Sequence, residues 1–550
     1  MKTIKYIILS ALFVGLLGCE NETLEDLRDR NNEEEVILPD LTAGSADFSR
    51  FVSIGASFTA GFTDNGLFIA SQKNSFPNIM SDQFAKIGGG EYNQPLMNDN
   101  FGGLALAGNR ITQPRLVFGG AGPVPLESII GPVTVSTDIA LNNPTGPFNN
   151  LGVPGAKSFH MIANGYGNLS NFPAAANPYA VRLTGSSPDA SMLELAVAQN
   201  PTFFTLSEIG GNDVLGYATS GGDGSNPITD TGTFDFALTT MVNALVATGA
   251  DGAIANLPNI TSLSYFTTVT HNPLEPSNEA FGPLIPTLNT LFGALNGAYA
   301  FLEAQGAIDN AAQRSIVFSE TEASAVVIRD ESIDNIATLI TNTLLGNPAF
   351  PAFIGQFGLP PEAAPLVAAL LGNIYGQTRQ ATAEDLLTLP SSSVIGTVNT
   401  DTFNFLVSQG LTPDLAGQFS VEGVTNPLID TWVLLPTEQA EIAAATEAYN
   451  ASISAAASAN GLALVDLNSV LVEASSVGIQ FDDFFLNTDL VFGGLVSLDG
   501  VHLTARGYAL MANSFLQAID SQFGSNFMAS GNVAKAGDFP TNYSPTLGLE

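Results

Sequence analysis

The globular part of the chain opens with Phe51-Val52-Ser53-Ile54-Gly55-Ala56-Ser57-Phe58-Thr59-Ala60-Gly61. The short, mostly apolar run from Phe51 to Ile54 predicts a buried strand that ends at Gly55. A glycine there permits a sharp turn. Such a turn lifts the Ser57 hydroxyl to the carboxyl edge of a sheet, where ligands of open α/β folds bind. If a helix starts next, its first amides face the same spot. The plainer reading of the same residues is a loop of small side chains after a strand.

Outward from this stretch, apolar strand candidates recur at 202–206, 252–256 and 462–466. Helical periodicity lies between and after them, at 190–199, 234–247, 437–460 and 505–519. The 437–460 segment is rich in Ala and Glu and stops at Gly461, as a helix with a glycine C-cap does. Buried strands alternating with helices predict a parallel sheet covered on both faces. Two stretches exceed a minimal α/β unit. Residues 90–148 are rich in Gly, Pro and Asn and read as long loops with a few irregular strands. Residues 285–395 are apolar helical segments broken by Pro and Gly, an insertion that serves either as a lid or as extra core. No repeat of 20 to 50 residues is present, and 524–550 reads as an irregular tail.

With 550 residues, 45% hydrophobic and 12% charged, the chain has material for a sizeable core and too little charge for disorder. Sixteen Lys and Arg against 52 Asp and Glu give a net charge of -36. A surface this acidic repels phosphate backbones, which excludes nucleic acid as a partner and argues against a basic lipid-docking face. One Cys allows no intramolecular disulfide and no Cys-based zinc site. Three His (His160, His271 and His502) cannot build a His-rich metal cluster.

The N-terminus carries Lys2 and Lys5, then an apolar run from Tyr6 to Leu17, too short to cross a bilayer and suited to a secretory signal. It ends in Leu16-Leu17-Gly18-Cys19, and Cys19 is the only cysteine. This pattern resembles the lipobox of bacterial lipoproteins. The resemblance implies a signal peptide over 1–18, lipidation at Cys19, membrane attachment through that anchor, and an outer-membrane lipoprotein on the periplasmic or cell-surface face. Residues 19–46 read as the lipidated Cys and an acidic, solvated tether that includes Glu33-Glu34-Glu35. Acidic residues just after the Cys also resemble the surface-export signal of Bacteroidetes lipoproteins.

Three further blocks carry residues suited to chemistry. In Asn150-Leu151-Gly152-Val153-Pro154-Gly155, Gly155 brings a bare amide close to a ligand or is an ordinary Pro-Gly turn. In Ile209-Gly210-Gly211-Asn212-Asp213, which follows the 202–206 strand, Asn212 aims its amide into a site or belongs to a plain turn. In Asp499-Gly500-Val501-His502, one loop carries a carboxylate and an imidazole. The carboxylate accepts the Nδ1 proton and leaves Nε2 free to take a proton from a serine. The bland alternative is a surface Asp and a histidine at a helix start.

Read in order, the blocks are Gly-x-Ser, Asn-x-x-x-x-Gly, Gly-x-Asn-Asp and Asp-x-x-His. This order resembles the SGNH hydrolases, also called GDSL esterases and lipases. Asn256-Leu257-Pro258-Asn259, Tyr449-Asn450 and Val465-Asp466 resemble large lipoprotein members from Bacteroidetes. The resemblance implies a flavodoxin-like three-layer α/β/α sandwich with a parallel sheet over 47–523, enlarged by a mostly helical insertion. It implies Ser57 as nucleophile, His502 as general base and Asp499 as its orienting partner. The backbone amides of Ser57 and Gly155 and the side chain of Asn212 would form the oxyanion hole. The implied activity is hydrolysis of carboxylic esters, of acyl lipids or acetylated glycans, without cofactor or metal. The rivals are a carbohydrate O-deacetylase and a non-catalytic lipoprotein that binds glycan or a partner on a hydrolase scaffold.

Two features depart from the family. Its first-block Asp is Ala56 here, and its Leu is Phe58. The Asp-rich stretch 221–235 reads as a solvated turn and not a calcium loop. His160 and His271 read as structural or surface residues, and Trp432 as core.

Overall fold

The computed structural model describes residues 37–549. The proposed leader, Cys19 and the acidic run at 33–35 lie outside them. Five strands form one sheet: β1 (Phe51–Gly55), β2 (Asn150–Gly152), β3 (Phe203–Ser207), β4 (Asp251–Ala255) and β5 (Ala463–Val465). Their order is β2-β1-β3-β4-β5, and every pairing is parallel. Every residue of β1, β2 and β3 is buried, as helices on both faces of a parallel sheet require. The fold is therefore mixed α/β, a parallel sheet flanked by helices.

The short α1 (Ser57–Ala60) leaves β1 directly and is followed by α2 (Phe76–Phe84), α3 (Met192–Val197), α4 (Gly211–Thr219) and α5 (Thr231–Val246). The second half contributes α6 (Ile285–Ala304), α7 (Ala337–Gly346), α8 (Ala364–Tyr375), α9 (Pro436–Asn460), α10 (Leu467–Ser476) and α11 (Ala505–Phe523). Local chemistry sets their ends. Ser191 and Glu194 form a reciprocal capping box on α3. Asp230 caps α5 through the Thr233 amide. Pro436 opens α9 and the left-handed Gly461 closes it. Helices α2 and α11 pack together on one face of the sheet, and α3, α5 and α9 cover the other. Aromatic stacking fills the first layer, with Phe48 on Phe84 at 4.0 Å and Phe76 on Phe515 at 4.8 Å.

A second apolar core draws on residues Leu274 to Leu435, a longer stretch than the 285–395 suggested by periodicity. Among the described residues, none buried in the main core lies between Phe266 and Leu434. Helices α7 and α8 approach so closely that a Cβ on Gly372 would stand 2.2 Å from Thr341 Oγ1 and 2.5 Å from the Ala337 carbonyl oxygen. Arg379 is buried between Asp330 and Asp385 at 2.5 and 2.7 Å. Trp432 is half-buried against this core.

Residues 90–148 hold two short hairpins and the helix Leu126–Ile130. The 19–46 stretch read as tether is already docked at Thr42, whose amide donates to Asn526 Oδ1 at 2.7 Å. The 524–550 segment is irregular in outline, yet Phe527, Ala534 and Ala536 are buried in the main core. Among the described residues, no helix is long and apolar enough to cross a membrane.

Candidate active site

Ser57 is the first residue of α1, directly beyond β1, with 8% of its surface exposed. Gly55 makes the turn possible. A Cβ there would stand 2.1 Å from Thr59 Oγ1 and 2.6 Å from the Ser207 carbonyl oxygen. The carboxylate that Ala56 lacks comes from the neighbouring strand's end. Glu208 follows β3, and its Oε2 accepts from the Ala56 amide at 2.5 Å and its Oε1 from the Thr59 amide at 2.8 Å. Its backbone sits at φ +55°, a left-handed conformation unusual for a glutamate. Burial pushes the Glu208 carboxyl up to about 8, against the opposing pull of the Ala56, Thr59 and Phe58 amides.

The second and third blocks interlock beside this turn. Val153 donates its amide to the Gly55 carbonyl at 2.9 Å, which brings the loop after β2 against the Ser57 turn. Asn150 donates to the Thr59 carbonyl at 2.7 Å and accepts from the Gly152 amide at 2.9 Å. Gly155 adopts φ +79°. Asn212, near the start of α4, donates to the Ala156 carbonyl at 2.9 Å, leaving its second amide proton free. Asp213 is fully buried and accepts from the Ser158 amide and hydroxyl at 2.8 and 2.7 Å. Among the described residues, the Ser57 and Gly155 amides have no acceptor within the protein. Two unpaired amides and one side-chain donor at a sheet's carboxyl edge suit a developing oxyanion.

The fourth block sits in the loop before α11. His502 Nδ1 lies 2.9 Å from Asp499 Oδ2, and Asp499 Oδ1 accepts from the Val501 and His502 amides at 2.9 and 2.8 Å. Burial works to raise the Asp499 carboxyl, but the His502 ring and these amides outweigh it and hold it well below the usual carboxylate range. The imidazole packs against the rings of Phe62 and Phe58, at centroid distances of 4.7 and 5.8 Å. It therefore stands beside α1, although no hydrogen bond joins Ser57 to His502. Such contacts often tighten only once substrate is bound.

A turn absent from the sequence reading completes the arrangement. Thr63 and Gly66 exchange backbone hydrogen bonds around Asp64 and Asn65, at φ +53° and +58°. The Asn65 amide donates to Asp499 Oδ2 at 2.8 Å, the same oxygen that faces His502. Asp64 is buried, and its Oδ1 accepts from the Leu498 amide at 3.2 Å. Burial and the nearby Asp499 charge push the Asp64 carboxyl up to about 7, while the Leu498 amide and Arg115 oppose them. Two local signals point to these residues: Asp64-Asn65-Gly66 as turn formers seven to nine positions after Ser57, and Glu208 as a lone acid at the end of an apolar strand.

Beside Ser57 opens a cavity of about 100 Å³ whose lining is almost wholly apolar. Among the described residues, no group of three or more His, Cys, Asp or Glu side chains is arranged to hold a metal ion. In the 221–235 stretch, Asp230 caps α5 and Asp223 accepts from the Ser225 amide at 2.8 Å. His160 accepts from the Lys157 amide at 3.0 Å and stacks on Tyr166 at 4.4 Å, and burial holds its pKa down. No family profile, no curated protein and no solved structure matches the chain, so the site stands on its own geometry.

Proposed function

We propose that the protein is a serine esterase of SGNH type, hydrolysing carboxylic esters through an acyl-enzyme on Ser57. The observation that carries this reading is the convergence of the four blocks. Ser57, the unpaired amides of Ser57 and Gly155, the Asn212 side chain and the Asp499–His502 pair gather around the end of β1. The strand order 2-1-3-4-5 supports a flavodoxin-like sandwich and places Ser57 where that order reverses.

In this reading, Ser57 Oγ attacks the ester carbonyl carbon as His502 Nε2 takes its proton. The carbonyl oxygen becomes an anion held by the Ser57 and Gly155 amides and Asn212. Collapse breaks the bond to the alcohol oxygen, which leaves with the proton from His502. Water, deprotonated by His502, then attacks the acyl-enzyme. The carboxylic acid departs and the proton returns to Ser57. Each preplaced donor is worth roughly 3 kcal/mol of transition-state stabilisation. Asp499 steers the imidazole and stabilises its charged form. The chemistry requires no cofactor. The lipobox-like Cys19 supports anchoring of the enzyme to the outer membrane.

Ser57→Ala should abolish hydrolysis of p-nitrophenyl butyrate while leaving the circular dichroism spectrum and melting temperature in place. Wild-type turnover in that variant would show that another group attacks the ester. The missing Ser57–His502 hydrogen bond favours one rival, a non-catalytic scaffold that binds glycan or a partner. A fluorophosphonate probe separates the two, because it labels Ser57 only where the serine is activated.

A further inference from the structure

We infer that the apolar cavity beside Ser57 is the acyl site, and that the acid part of the ester is a short alkyl chain of about four carbons. The inference rests on the serine-esterase reading and adds the substrate class to it. Ser57 and Asn212 stand in the lining and carry its free polar groups. The other polar side chains there are turned away. Both Glu208 oxygens accept backbone amides, and Asn256 is engaged with Asp466 and the Asn468 amide. The remaining wall is hydrocarbon and includes Val214 of α4, Leu467, Val470 and Leu471 of α10, Leu510 of α11 and Ile260 after β4.

A carbonyl carbon at Ser57 has its oxygen beside Asn212 and the two free amides. The cavity offers its acyl substituent a place to leave water. Size decides the chain. An engineered apolar cavity of about 150 Å³ holds the six carbons of benzene. By that measure the 100 Å³ here holds about four. An acetyl group leaves most of the space empty, and a fatty acyl chain extends beyond it. A sugar fits poorly because the far wall offers its hydroxyls no partners.

The test is a chain-length series of p-nitrophenyl esters, from acetate to dodecanoate, on the full-length protein. Each methylene buried raises kcat/KM roughly fourfold. Butyrate is therefore expected to exceed acetate by roughly fifteenfold, with a fall beyond hexanoate. Val470→Phe should lower the ratio of hexanoate to acetate turnover at least tenfold. Should that variant not fold, the wild-type series decides alone. A protein that labels with fluorophosphonate yet cleaves acetate as fast as butyrate, or dodecanoate fastest, overturns the acyl site and keeps the serine esterase. Absence of both labelling and hydrolysis at every length overturns the serine-esterase reading, and the acyl site with it.

Discussion

Replacing Glu208 with Gln tests whether a neutral carboxyl lies under the Ser57 turn. In the native protein the carboxyl is buried, accepts the Ala56 and Thr59 amides, and is pushed up to about 8 from an unfolded value of 4.5. Between those values the folded state binds a proton that the unfolded state has released. Its contribution to stability therefore falls as pH rises through that window and levels off above about 8. Each pH unit is worth about 1.4 kcal/mol, so from pH 5 to pH 8 the loss is on the order of 4 kcal/mol. Gln carries no charge and escapes this loss. It also has one acceptor oxygen where Glu has two, so one amide of the turn loses its partner, at about 1–3 kcal/mol. Glu208→Gln should therefore be less stable than wild type at pH 5. The gap should close or reverse by pH 8. Urea unfolding at pH 5, 6, 7, 8 and 9 reads this directly, since the difference between variant and wild type removes the other titrating groups. A gap that stays constant over that range would show that Glu208 is an ordinary carboxylate, and the argument from burial would be wrong.

Two further changes probe the frame of the site. Asp499→Asn keeps the loop but loses the carboxylate that orients the His502 ring, and kcat should fall on the order of 10³- to 10⁴-fold in stopped-flow or steady-state ester hydrolysis. Gly152→Ala places a Cβ 2.3 Å from the Ala60 amide nitrogen and 2.7 Å from the Thr59 carbonyl carbon, both backbone atoms that cannot swing aside. It should cost about 3 kcal/mol in urea unfolding, and a neutral result would mean that β2 and α1 are not in that contact.

Much of the sheet was legible in the chain because buried parallel strands announce themselves as short apolar runs. The expected strands at 51–54, 202–206, 252–256 and 462–466 each fall within one residue of β1, β3, β4 and β5. Strand β2 escaped notice because Asn-Leu-Gly has no apolar run. It is a strand because Ser53, Ile54 and Gly55 pair with it, and a partner 97 positions away leaves no local trace. The insertion was recognised by its Pro- and Gly-broken helices, but its core gathers flanking loops that carry no periodicity. Ala56 has no side chain able to bond the turn. The residue that supplies the bonding, Glu208, lies 152 positions away.

By itself, the sequence determined the residue types able to do chemistry, their order, and the strand that presents Ser57, because these depend on local composition and spacing. Tertiary structure decided which of them meet. Asp213 clamps Ser158, Asn65 donates to Asp499, and an apolar cavity opens between α10 and α11 beside the serine. Each of these depends on how distant segments pack, where the low dielectric of the interior decides the charge a carboxyl carries and the shape of the space left over.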